Sequence, residues 1–167
     1  MGIVTTKSAA ITNRDSVPKV LNMARTTGAP LLVAYGTVAV ASGDNTGSKY
    51  IFCSLPSNAM VADIKVTSAD IGTTLTANFG IYKNTQDGGA IVDGDFFGSA
   101  VSLKDGALSK SSITHESTNY LYTDRDKPLW QALGLSSDPG LIYDFVATTT
   151  ADSDAAGTVL VEVEYTV

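Results

Sequence analysis

The segment Thr74-Leu75-Thr76-Ala77-Asn78-Phe79-Gly80-Ile81-Tyr82 decides how this chain is read. Leu75, Ala77, Phe79 and Ile81 fall on one side of a period of two, and Thr74, Thr76, Asn78, Gly80 and Tyr82 on the other. That is the pattern of a strand with one buried face. Upstream, Met60 to Val66 alternates Met60, Ala62, Ile64 and Val66 against Val61, Asp63 and Lys65. Lys49 to Leu55 sets Tyr50, Phe52 and Ser54 opposite Ile51, Cys53 and Leu55. Downstream, Leu141 to Thr150 and Thr158 to Val167 read as strands, the latter with Val159, Val161, Val163 and Tyr165 against Leu160, Glu162 and Glu164. Ser109 to Ser117 has weaker strand character. Clusters of Gly, Asn, Asp, Ser and Pro separate these runs at Gly43 to Gly47, Pro56 to Asn58, Asp138 to Gly140 and Asp152 to Gly157, as turns require.

Leu31 to Ala41 is apolar on both faces, with Leu31, Val33, Tyr35, Thr37 and Ala39 on one and Leu32, Ala34, Val38 and Val40 on the other. A strand of that kind is expected to be covered by the domain core on one side and by a partner on the other. We take Leu32, Ala34, Val38 and Val40 as the candidate oligomer contact. Gln86 to Gly98 is rich in Gly and Asp and reads as a loop, with a short strand or helix around Phe96 to Val101. Pro128 to Gly134 reads as one short helix, with Asp126 as its N-cap and Gly134 as its terminator.

Residues 1–29 are different. They mix small, polar and charged residues without strand alternation, and are expected to form an N-terminal arm ahead of a domain spanning 30–167. Within the arm, Ser16 as N-cap, an early Pro18, and Val17, Val20, Leu21 and Ala24 at helical spacing predict a short helix over Ser16 to Arg25. About seven or eight short strands, one short helix and an arm predict an all-β antiparallel sandwich, jelly-roll-like in topology. Periodicity alone leaves an immunoglobulin-like sandwich open, though no cysteine pair brackets the tryptophan.

Composition narrows the chemistry. The chain has 167 residues, 44% of them hydrophobic, and a net charge of −6. An acidic balance argues against nucleic-acid binding, which needs a basic face. No apolar run approaches the roughly 20 residues of a membrane span, and Met1 to Ala10 lacks the apolar centre of a signal peptide. One cysteine, Cys53, rules out a Cys-based zinc site and an internal disulfide, and one histidine, His115, removes most of the remaining transition-metal and acid/base options. A lone thiol suits synthesis in a reducing cytoplasm.

His115 lies beside Glu116, but neighbours on a strand point to opposite faces, so a structural histidine is the stronger reading. Asp87 to Asp95 lacks the spacing of a calcium loop and reads as a turn. Asp124-Arg125-Asp126-Lys127 reads as a salt-linked loop, Cys53 as a small buried hydrophobe and Trp130 as a packing anchor. No phosphate loop, dinucleotide fingerprint or nucleophile elbow is present, so no enzyme activity and no cofactor or metal is expected.

Taken in order, Val20-Leu21-Asn22, Gly47-Ser48-Lys49-Tyr50, Pro56-Ser57-Asn58-Ala59, Phe79-Gly80-Ile81-Tyr82, Gly88-Gly89-Ala90-Ile91-Val92-Asp93, Lys127 to Leu135, Tyr143 to Thr148 and Ala155 to Thr158 resemble a family of tailed-bacteriophage virion proteins. These are small jelly-roll head proteins that act as capsid cement or decoration. The resemblance implies a non-enzymatic protein, made in the host bacterial cytoplasm, that sits on the head exterior as a homodimer or homotrimer. It would bridge neighbouring copies of the major capsid protein. On this reading Pro18, Val20, Leu21 and Met23 of the arm are the candidate capsid contacts. The alternative is a carbohydrate- or receptor-binding β-sandwich of a phage tail or head fibre, for which Tyr120, Tyr122 and Trp130 form the one aromatic cluster.

Overall fold

The computed structural model describes residues 6–104, 106–115 and 119–167, and the chain divides into two units after Pro30. The larger unit contains eight strands: β1 (Leu32–Val40), β2 (Lys49–Pro56), β3 (Met60–Ser68), β4 (Thr76–Lys83), β5 (Ile91–Ser102), β6 (Leu108–Ser112), β7 (Ile142–Thr149) and β8 (Gly157–Thr166). They form two four-stranded sheets ordered β1-β8-β3-β6 and β2-β7-β4-β5, with every pairing antiparallel. Successive strands along β1 to β4 and β5 to β8 alternate between nested long-range partners, which gives the double Greek key of a jelly roll. The open choice between sandwich topologies is thereby resolved.

Leu75, just ahead of β4, and Ala77, Phe79 and Ile81 within it lie in the core, as expected, in one cluster with Val159, Val161 and Val163 of β8, while Gly80 and Tyr82 of the face expected to be open are buried too. Phe145 on β7 packs against Phe52, Phe79 and Phe97 with ring centroids 6.5, 6.1 and 5.6 Å away. Burying aromatic rings of this size supplies much of a sandwich's stability.

Three strands break the simple period, each at a bulge. In β2 the pairing to β7 slips between Ile51 and Cys53, so Tyr50 and Phe52 are buried and Leu55 then takes the inward place that alternation assigned to Ser54. In β3 a slip between Val61 and Asp63 buries Val61 together with Ile64 and Val66. The expectation of a loop over Gln86 to Gly98 is overturned, because β5 begins at Ile91. Between the pairs Ile81↔Asp93 and Phe79↔Gly98, β5 carries extra residues that β4 does not match. Such insertions destroy the two-residue signature while keeping the strand. The surplus backbone folds close over Gly80, where an added Cβ would lie 2.2 Å from the Asp93 carbonyl oxygen.

The short helix is present over Leu129–Ala132, but Asp126 is not its cap. Pro128 holds that position, and the first orphan amides are met by the β2–β3 turn: Leu129 N–H donates to the Ala59 carbonyl at 2.8 Å and Trp130 N–H to that of Ser57 at 3.0 Å. Gly134 follows in the left-handed region and ends it. At the other end of the sandwich, carboxylates join the turns. Asp152 accepts from the amide and hydroxyl of Thr46, and Asp154 accepts from Thr73 and Thr74. The β4–β5 turn is organised by Asn84, which accepts from Asp87 N–H and donates to the Asp87 carboxylate and the Ile142 carbonyl.

In the smaller unit the helix falls elsewhere than expected. It spans Ala9–Asp15, with Ser8 as N-cap and Ser16 as C-cap. Ser16 closes this helix by donating its hydroxyl to the Asn13 carbonyl at 2.7 Å, so it does not open a second one. Asn22 donates back to the Ala10 carbonyl at 3.0 Å. A helix over Ser16 to Arg25 would have no face to bury, since Val17 is 98% exposed, and helices this short form when packing supports them. Only a single 3-10 turn, Ala24–Thr26, appears there.

Candidate interaction surfaces

The outer face of the β1-β8-β3-β6 sheet is written by its register. Across β1, β8 and β3, Val33 lies beside Glu164 and Asp63, and the next row is Tyr35, Glu162 and Lys65. Val33 and Tyr35 are 53% and 71% exposed, with Leu31 also exposed where the chain enters β1. Lys65 pairs with Glu164 at 2.5 Å and Asp63 at 3.4 Å, while Glu162 has no ion-pair partner among the described residues. Burial alone would raise the Asp63 carboxyl, but hydrogen bonds from Thr114, Ser112 and Lys65 hold it below the ordinary carboxylate range. The Glu164 hydrogen bond in turn raises Lys65. The result is an apolar strip bordered by a carboxylate-rich row.

This corrects the face expected to meet a partner. Val40 is in the core, and Ala34 and Val38 pack against it, so these three point inward; Leu32 is the exposed member of that set. Strand alternation separates two apolar faces without saying which is inside. The opposite face, Val33 and Tyr35, is the accessible one. In the arm, Val17, Val20, Leu21 and Met23 are exposed, as is Pro18.

The other candidates separate in space. His115 is exposed and stacks on Tyr120 with centroids 5.6 Å apart and planes 11° from parallel. It borders a shallow hollow of about 330 Å³ with Phe97, Ser99, Val101, Ser112 and Ile113. Glu116 lies outside the described residues. Tyr120 is fully buried and donates to the Val61 carbonyl at 3.0 Å, whereas Tyr122 is exposed, so the aromatic cluster does not form one open platform.

Asp124 accepts from Leu121 N–H and pairs with Lys127 at 2.6 Å, which lowers its carboxyl and raises Lys127. It thus acts as a cap of the 3-10 turn Tyr122–Asp124. Asp87, by contrast, is tied to Asn84, and Asp95 accepts from Ser99. Burial and then the nearby Asp144 push the Cys53 thiol up to about 12. Among the described residues, no group of three or more His, Cys, Asp or Glu side chains is placed to hold a metal ion, and no helix is long and apolar enough to cross a membrane.

No family model and no curated protein sequence matches the chain. Among solved structures, a chain of the capsid asymmetric unit of cyanophage Pam1 aligns at a TM-score of 0.53, over 99% of this chain and 99% of that one. The two chains share a fold. Their sequences are 18% identical, so the correspondence lies in topology and length.

Proposed function

We propose that the chain is a non-enzymatic virion structural protein that binds the outer surface of a phage head and cements neighbouring major capsid subunits. The observation that carries this reading is the end-to-end fold correspondence with a chain of the Pam1 capsid asymmetric unit. The arm and β1 both expose apolar side chains that can make contacts, and modest contacts repeated over many copies on a shell add up to strong net stabilisation. The partners proposed are the major capsid protein and further copies of the chain, as a homodimer or homotrimer. Within such a shell, Pro18, Val20, Leu21 and Met23 are the arm's contact set, and Val33 and Tyr35 are the sheet's.

The test is to mix purified protein with expanded, undecorated heads of the source phage and measure pelleted protein per major capsid subunit. Saturation at a simple fixed ratio, absent on unexpanded shells, is expected; no binding at micromolar protein refutes the reading. Removing residues 1–25 tests the arm's share, since unchanged head affinity with intact folding removes it from the proposal.

A further inference from the structure

The chain is electrically divided. Residues 1–30 carry Lys7, Arg14, Lys19 and Arg25 against Asp15, a net of +3, which leaves −9 on residues 31–167. The basic arm displays apolar side chains, with Val17 98% and Leu21 85% exposed around the exposed Lys19. The sandwich displays the reverse combination. Val33 and Tyr35 are exposed beside Glu162 and Glu164, and Glu162 is the carboxylate that Lys65 does not pair with.

We infer that the arm of one copy docks on the outer β1–β8 face of a second copy, with Val17, Val20 and Leu21 over Val33 and Tyr35 and with Lys19 at Glu162. Charge complementarity selects the occupant. Two faces that each carry Asp63, Glu162 and Glu164 against Lys65 repel each other, so a face-to-face pair of sandwiches is disfavoured, whereas the largest surplus of positive charge on this chain lies in its arm. Reciprocal exchange gives each copy one arm and one receiving face, the closed isologous arrangement that homodimers favour. The inference goes beyond the capsid reading and needs the chain alone, so a failure of head binding leaves it standing.

The experiment combines sedimentation velocity with carbodiimide cross-linking of an equal mixture of natural-abundance and 15N-labelled full-length protein. A dimer is expected, with Lys19–Glu162 or Lys19–Glu164 peptides in mixed-isotope pairs. Raising salt from 0.1 M to 1 M shortens the screening length from about 10 to 3 Å and should weaken the dimer about tenfold or more. Lys19→Glu should be monomeric, as should Glu162→Lys, neither of which breaks an ion pair of the described residues. Mixed together, the two variants should form a heterodimer, because each arm then meets a face of opposite charge. Unchanged thermal melts of the variants separate lost docking from lost folding. A monomeric wild type, cross-links confined to same-isotope chains, charge-reversed variants that still self-associate, or a variant mixture that stays monomeric would each overturn the inference. So would an arm that cross-links to coat protein on heads and never to a second copy.

Discussion

At Gly36 on β1 the backbone of β2, in the other sheet, leaves no room for a side chain. A Cβ built there would lie 1.9 Å from the Phe52 carbonyl oxygen, 2.6 Å from its carbon and 2.9 Å from its Cα, all backbone atoms that cannot rotate aside. Ordinary contact begins at about 3.5 Å, so Gly36→Ala must force β1 and β2 apart. Overpacking of this kind costs about 1–3 kcal/mol, occasionally more.

The chain-entropy effect of the same substitution has the opposite sign, stabilising by about 0.4–1 kcal/mol where the backbone accepts alanine. The sign of the result therefore separates the two. Gly94→Ala is the matched control, because its Cβ would meet only Tyr82 and Ile91 side-chain atoms at 3.5 and 3.7 Å. We expect urea unfolding followed by Trp130 fluorescence to show Gly36→Ala destabilised by about 2 kcal/mol and Gly94→Ala unchanged or slightly stabilised. At this chain length the former corresponds to a melting point about 4–8 °C lower. Equal stabilities for the two variants would refute the close approach of β1 to β2.

Phe145→Ala removes the ring that Phe52, Phe79 and Phe97 surround and should cost about 3–5 kcal/mol, while Phe145→Leu should cost distinctly less by the same unfolding assay. Asp44, Asp63, Asp124, Asp138, Asp152 and Asp154 all hold their protons less readily in the folded chain than in the unfolded one. Their stabilisation is therefore fully present above the ordinary carboxylate range and is lost as pH falls through the lower folded values. Melting points should be flat near neutrality and drop below about pH 4. Cys53, pushed up to about 12, should react with a thiol reagent at pH 8 at least tenfold more slowly than an unfolded thiol, and denaturant should abolish the protection. Asp124→Ala should cost about 1–2 kcal/mol through the lost Leu121 cap and the freed Lys127, read by thermal melting.

Strand β8 was legible residue by residue and β4 on its inner face, because a period of two carries its own inside and outside; Gly80 and Tyr82, assigned to the open face of β4, are buried as well. The same logic failed at β5, where the surplus residues opposite Phe79 to Ile81 made a strand look like a Gly- and Asp-rich loop. In β2 and β3, single slips exchanged the roles of Ser54 with Leu55 and of Ala62 with Val61. The face of β1 was not readable at all, since both faces are apolar and only the partner sheet determines which is covered. In the arm, Ser16 fits either end of a helix, and the choice rests on Asn13 and Asn22, whose side-chain bonds span too many residues to show as a motif. Val33, Tyr35 and Glu162 were missed as a surface because cross-strand adjacency depends on register.

The two ends of the sandwich differ as places for foreign peptide. The end held by Asp152 and Asp154 ties three turns together, so an insertion in any of them would loosen the other two. The Gly88-Gly89 tip of the β4–β5 turn is different: an atom added at either glycine meets nothing within 4 Å, and Asn84 has already closed the turn beneath it. That tip is the natural port for epitope display or a fluorescent fusion, a position from which cargo can be carried without disturbing the strands that frame it.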